Sequence, residues 1–429
     1  MGGMLETMRN AWKIPDLRRK LVVTVLLLLV YRAGSFIPVP GLDSNALKNL
    51  LGTGGTLLGF LDIVSGGAFA NATIFAMSIT PYVNASIIIQ LLTIAIPRLE
   101  QLAKEGEEGR KIIGQWTRYL TVILAFLQAI GFYTMLKSAI IGGGGVLPFI
   151  IITLSFTAGT AFLMWLGEQI TEYGIGNGIS LIIFAGIVSR GPAGVRVLSN
   201  AYVSGSLGAG FFGILTILLI LAVFVVIIAA VIWVQQAERR LPVQYAKRVV
   251  GRKMYGGQST HIPIKVNLSG VMPIIFAMSI MAFPATIVQL FFSSSTNWFV
   301  RGIIDSQGSW WYSVFNAILI MFFTFFYTII VFNPVEVANN LKKNGGFIPG
   351  IRPGKPTSEY ISKVLNRITW FGGAFLAAIT ILPSLLSFTG IKGVWFGGTA
   401  VLILVGVALD TVKQVESQML MRHYKGFLD

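Results

Sequence analysis

Hydrophobic and polar positions in this chain are sorted into long apolar blocks separated by polar, mostly basic stretches. Runs of roughly spanning length occupy Leu21–Ile37, Ile74–Ile96, Ile112–Leu136, Leu147–Leu166, Phe212–Val234, Val271–Phe292, Trp310–Phe332, Ile368–Leu386 and Trp395–Ala408. Gly178–Ser189 is shorter but equally apolar, and it is expected to extend back through the GIGNG run at Gly174–Gly178. A helix satisfies its own backbone hydrogen bonds in lipid, so these blocks predict about ten transmembrane helices and an all-α polytopic membrane protein.

One stretch departs from this pattern. Gly59–Leu92, GFLDIVSGGAFANATIFAMSITPYVNASIIIQLL, reads as a helix too short to span, a glycine break at Gly66 and Gly67, and then a full-length apolar helix carrying Pro81. Irregular backbone at membrane depth must be buried in protein or line a watery cavity, because each unsatisfied group costs several kcal/mol. A half-helix placed before a spanning helix therefore points to a pore or a binding site.

Composition removes most soluble alternatives: of 429 residues, 54% are hydrophobic and 12% charged, and mean hydropathy is +0.75. The net charge of +16 is distributed unevenly. With the N-terminus placed inside, Lys and Arg fall on the cytoplasmic side by roughly fourfold, which puts both termini in the cytoplasm. An even number of spans agrees. Glu6–Lys20 alternates apolar and basic positions, as in an amphipathic helix on the membrane surface. The expected organisation is a cytoplasmic segment over 1–20, a first half over 21–190, a second half over 191–413 and a cytoplasmic tail over 414–429. Ten spans split into halves of five, and with an odd number in each the halves have opposite topology and could form an inverted repeat about a midplane site.

Two basic loops are longer than a turn between helices requires: Gln235–Asn267, and Asn333–Arg367 with its GIRPG run. Their length, charge and interleaved Tyr245, Tyr255, Phe347 and Tyr360 point to docking of a large cytosolic partner that is anionic or contains RNA. The bland alternatives are charge that sets topology or touches anionic lipid.

Catalytic chemistry is missing. There is no cysteine, and the two histidines, His261 and His423, lie in a loop and the tail, so neither a histidine-based triad nor a zinc motif can be assembled. The run from Gly350 to Pro356 is one residue short of a phosphate-binding loop, with proline where Ser or Thr is needed. Neither enzyme activity nor a metal or other cofactor is expected, and any nucleotide energy must come from a partner. The ionisable candidates within or beside the spans are Arg32, Glu168 and Asp410. Ile79 and Val83, like Ile179 and Ile183, are four apart and share a helix face, but spacing alone does not separate a pore lining from packing or lipid contact. On the residues, a channel, a secondary transporter and a membrane scaffold all remain open.

Five stretches are more specific: SGGAFANATIFAMSITPYVNASIIIQLL, FLMWLGEQITEYGIGNGISLIIFAGIV, YAKRVVGRKMYGGQSTHIPIKVN, FNPVEVANNLKKNGGFIPGIRPGKPT and FGGTAVLILVGVALD. Together they resemble the bacterial SecY family, with a likeness that runs through nearly the whole chain. The resemblance implies two inverted, pseudo-symmetric halves around an hourglass pore in the bacterial inner membrane, conducting unfolded secretory polypeptides. It implies a plug at about residues 57–70, including Leu61, Ile63, Ser65, Gly66 and Gly67. A pore ring falls on Ile79, Val83, Ile179, Ile183, Ile275 and Ile403, with Val83 where many relatives have isoleucine. A lateral gate between the second and seventh spans places Asn84 and Phe283 at facing positions, flanked by the third and eighth spans, and would release signal sequences into membrane lipid. The two loops correspond to those that dock the SecA ATPase and the translating ribosome, through Arg239, Arg240, Lys247, Arg248, Arg252 and above all Arg352. SecE and SecG are the implied small partner subunits, and a signal peptide or nascent secretory polypeptide the implied cargo.

Overall fold

The structure is a computed structural model and describes residues 12–47, 62, 65–141, 145–204, 210–245, 248–250, 253–255, 259–291, 310–387 and 398–423. In chain order its helices are α1 (Pro15–Gly34), α2 (Thr80–Ala95), α3 (Pro97–Lys104), α4 (Glu107–Met135), α5 (Val146–Tyr173), α6 (Gly178–Ser189), α7 (Gly191–Val203), α8 (Phe211–Gln236), α9 (Met272–Phe291), α10 (Trp310–Val331), α11 (Pro334–Lys343), α12 (Lys355–Ser387) and α13 (Gly398–His423). Short strands β1 (Glu238–Tyr245), β2 (Arg248–Val250), β3 (Lys253–Tyr255), β4 (Ser259–Lys265) and β5 (Gly346–Phe347) lie between them. Among the described residues, six helical stretches are long and apolar enough to cross a membrane, and seven if the bent α2–α3 pair is one span. Every block expected to span is helical in whole or in part, so the protein is an all-α, multi-pass membrane protein.

Several boundaries differ from the sequence expectation, each for a local reason. Pro15 opens α1 and the helix runs on to Gly34, so Arg18, Arg19 and Lys20 form its first turns instead of ending a separate surface helix; residues 1–11 lie outside the described set. Residues 65–79 are a succession of turns, and α2 begins at Thr80, not at Ile74. Pro81 sits in its first turn, where a missing N–H costs no helical hydrogen bond. The preceding chain cannot be helical, because Ala72 and Ser78 have φ of 52° and 54°. The GIGNG run does not extend α6 backwards either. Asn177 ends it as an N-cap, its side chain accepting hydrogen bonds from the N–H groups of Ile179 and Ser180 at 3.1 and 3.2 Å. The apolar span instead continues forward through α7.

The turns at 65–79 satisfy the demand that irregular backbone be paired. Val39 N–H donates to the Ala72 carbonyl at 2.8 Å and Ile74 N–H to that of Ile37 at 3.1 Å. Phe69, Ala72, Ala76 and Met77 fill an apolar cluster with Phe132 of α4 and Phe156 of α5. Outside the helical body, the two long loops are not independent. β1 pairs antiparallel with β4 from Glu238 to Gln244 and with β5 through Gln244–Phe347 and Tyr245–Gly346, which joins the loops in one sheet. Leu241, Val243 and Ile264 of that sheet pack on Leu341, Ile348, Ile361 and Leu365.

Candidate functional site

At the centre of the body is a large apolar cluster to which α1, α2, α5, α6, α8, α9, α10, α12 and α13 all contribute. Ile79 is 1% exposed, and Val83, Ile183, Ile275 and Ile403 are also buried within it; Ile179, half-buried, packs on it. Ile79 is the residue before α2, and its carbonyl takes the helix's hydrogen bond from Val83 N–H at 3.1 Å. Ile179 and Ile183 reach the same place because the Asn177 cap fixes where α6 starts and Gly178 lies against the Gly167 carbonyl of α5, where a Cβ would collide. Ile79 precedes α2, and the other five residues come from α2, α6, α9 and α13, segments separated by up to hundreds of residues. Such a centre can exclude water and ions; it cannot hold a substrate by directed hydrogen bonds.

Beside the cluster lie the turns that contain Ser65, Gly66 and Gly67; Leu61 and Ile63 lie outside the described residues. The half-helix expected before them lies outside the described residues apart from Asp62, which is helical, and the glycine break that follows it is a tight set of turns, with φ of 65° at Gly66 and 90° at Gly67. A side chain at Gly66 would be strained by that φ, and its Cβ would sit 2.8 Å from Ser189 Oγ and 2.9 Å from Gly186 Cα of α6. Both helices that flank the turns grip them through backbone oxygens. Tyr31 of α1 donates its hydroxyl to the Ser65 carbonyl at 3.4 Å, while Arg32 and Ser189 donate to the Gly66 carbonyl at 3.0 and 3.3 Å. Asp62 is buried; its Oδ1 accepts from Ala70 N–H at 2.8 Å and its Oδ2 is ion-paired with Arg190. In the sequence Arg32 stands out only as a charge within a span, and no motif points to Asp62, Ser189 or Arg190. The available signal was three ionisable residues close to apolar blocks.

Asn84 is buried on α2, and Phe283 falls on α9; these two helices pack on each other. α4, the third span, packs on both, and α10, the eighth, packs on α9. At the sheet, Arg239 and Arg240 are exposed on β1, with Arg240 Nε 2.8 Å from Glu238 Oε1. Arg248 lies on β2, while Lys247 and Arg252 lie outside the described residues. Arg352 is exposed between β5 and α12, and its carbonyl is held by Thr357 Oγ1 at 2.8 Å. Among the described residues no group of His, Asp or Glu is placed to hold a metal ion.

Helices long and apolar enough to cross a membrane surround this apolar centre, with hydrogen-bonded turns beside it, which is the build of a membrane protein of several spans. The chain matches the SecY family model over residues 73–412 and belongs to the SecY family. It is 47% identical over 433 residues to the protein translocase subunit SecY of Halalkalibacterium halodurans, covering 99% of this chain and 100% of that one. To the same subunit of Thermotoga maritima it is 44% identical over 438 residues, covering 99% and 98%. In fold it is similar to a solved protein-conducting channel, with a TM-score of 0.66, 20% identity and coverage of 94% of this chain and 92% of that one. It is also similar to Sec61 in the canine ribosome–channel complex from the endoplasmic reticulum, with a TM-score of 0.62, 19% identity and coverage of 94% and 92%. The family is one of translocase channel subunits, not of enzymes.

Proposed function

We propose that this chain is the protein-conducting channel of a bacterial inner-membrane translocase, with both termini in the cytoplasm and halves at 21–190 and 191–413. The observation that carries the reading is that Ile79, Val83, Ile183, Ile275 and Ile403 belong to one buried apolar cluster, with Ile179 packed on it. In this reading they form the constriction. Branched apolar side chains close it by dewetting, which excludes ions without a charged filter. The same side chains make no directed bonds, so they yield to any passing residue, and lack of sequence preference follows. The turns at Ser65–Gly67 act as the plug. α2 and α9 part as the lateral gate, through which an apolar signal segment gains roughly 0.3–0.6 kcal/mol per Leu-like residue on entering lipid. SecA and the ribosome dock on the sheet formed by the two loops, with Arg352 as the principal contact, and SecE and SecG complete the complex.

The test is translocation of a signal-bearing precursor into vesicles containing this chain with SecE and SecG, driven by SecA and ATP, for wild type and Arg352→Glu. Translocation by wild type and its loss in an intact mutant complex support both channel and docking site. Equal translocation by the mutant removes Arg352 from the motor contact. A properly assembled wild type that translocates nothing overturns the channel reading in favour of a transporter.

A further inference from the structure

The polar contacts around Gly66 set two cationic side chains, from two different spans, against one short turn. Arg32 of α1 holds the Gly66 carbonyl at 3.0 Å, and Arg190, at the end of α6, is paired with the Asp62 carboxylate. Both partners of the ion pair are largely withdrawn from solvent, with side-chain exposures of 18% for Arg190 and 7% for Asp62. A buried ion pair is a poor source of net stability, because desolvation offsets the attraction, but losing one partner is strongly destabilising. It therefore acts more as a position-sensitive fastening than as glue. Asp62 also folds the turn itself: its carbonyl accepts from Gly67 N–H at 2.8 Å and from Ser65 Oγ at 3.2 Å, and its Oδ1 from Ala70 N–H. A pull on Asp62 is thus transmitted directly to Ser65, Gly66 and Gly67.

We propose that Asp62 and Arg190, assisted by Arg32, form a polar latch that holds the Ser65–Gly67 turn against α1 and α6 in the resting protein. Displacing the turn requires this ion pair to separate. The latch rests on the reading of that turn as the plug, and it adds a directional fastening to the apolar constriction, which has none. The attraction weakens as the pair separates and water raises the local dielectric.

The experiment measures resting ion conductance of the assembled complex in planar bilayers. Asp62→Asn is the informative single variant, because the amide oxygen can still accept from Ala70 N–H while the charge is removed. It is compared with Arg190→Gln, the double variant, the exchange Asp62→Arg with Arg190→Asp, the charge-keeping Asp62→Glu and Arg190→Lys, and a deletion of residues 57–70. The latch predicts that each neutralising variant raises resting conductance on the order of tenfold. The double variant should leak no more than either single, the exchange should recover most of the closure, and the charge-keeping variants should stay near wild type. If the deletion leaks while Asp62→Asn and Arg190→Gln remain tight, the latch is wrong and the plug reading stands. Singles whose effects multiply in the double, with no recovery on exchange, also overturn the latch, since the two side chains then act independently. A deletion that does not leak overturns the plug reading itself.

Discussion

The buried cluster around Ile79 and Ile183 and the sheet around Leu241 are built from opposite materials. The first gathers buried apolar side chains from helices along the whole described chain, from Tyr31 of α1 to Val407 of α13. The second sets a small apolar core, Leu241, Val243, Ile264, Leu341, Ile348, Ile361 and Leu365, beneath a surface that presents Arg239, Arg240 and Arg352. A contact without polar groups yields to any chain, whereas a charged platform on a folded base selects its partner and positions it. In the proposed function these are separate duties, closing and docking, and each region can be damaged without the other. The largest expected effect comes from putting charge into the first. Ile79→Asp with Ile183→Asp places two carboxylates at buried positions, which wets the constriction. Resting conductance should rise by an order of magnitude or more, while SecA binding to the complex stays unchanged. Unchanged conductance would show that these residues do not form the constriction.

A smaller effect is expected from the core of the second region. Leu241 is buried where β1 meets α11 and α12, and Leu241→Ala should cost about 2–5 kcal/mol of local stability. The result should be faster proteolysis within residues 235–267 and weaker motor-driven translocation, with no change in resting conductance. A leak in this variant would join the two regions and dissolve the comparison.

The same contrast governs what could be read in the sequence. Lipid forces long apolar helices, so every membrane block was legible from hydropathy alone, down to the marginal Gly178–Ser189. The break before α2 was legible from Gly66 and Gly67, but its true extent was not: Ala72 and Ser78 adopt positive φ without being glycine, and neither residue type announces that. Pro81 was read as carried within a helix because its place in the first turn depends on where the turns end. The sheet was hidden for another reason. β1 and β5 belong to loops on either side of α9 and α10, and a pairing as short as Gln244–Phe347 and Tyr245–Gly346 leaves no local signature. The six apolar residues of the centre are marked out by family motifs; spacing alone leaves many equivalent faces. Arg32 was visible as an anomaly, but its partner is a backbone carbonyl, which no sequence pattern reveals.

The finest test of the comparison lies within β1. Arg239 and Arg240 are adjacent and both exposed, yet Arg240 already has Glu238 Oε1 at 2.8 Å. Exposed pairs of this kind contribute at most about 1 kcal/mol, so neither substitution should measurably alter folding. Their effects on docking should differ, because Arg240 must share its guanidinium between Glu238 and an incoming anionic group, whereas among the described residues Arg239 has no ion pair with a carboxylate. Arg239→Ala is therefore expected to weaken SecA binding by a few-fold, on the scale of one rim charge, and Arg240→Ala by less. The difference should shrink as salt is raised, since both contacts are exposed and screened. Removing Glu238 with Glu238→Gln should bring Arg240 up to the weight of Arg239. Equal losses from the two arginines with Glu238 in place would mean that the platform recognises its partner by net charge alone, not by where each charge stands.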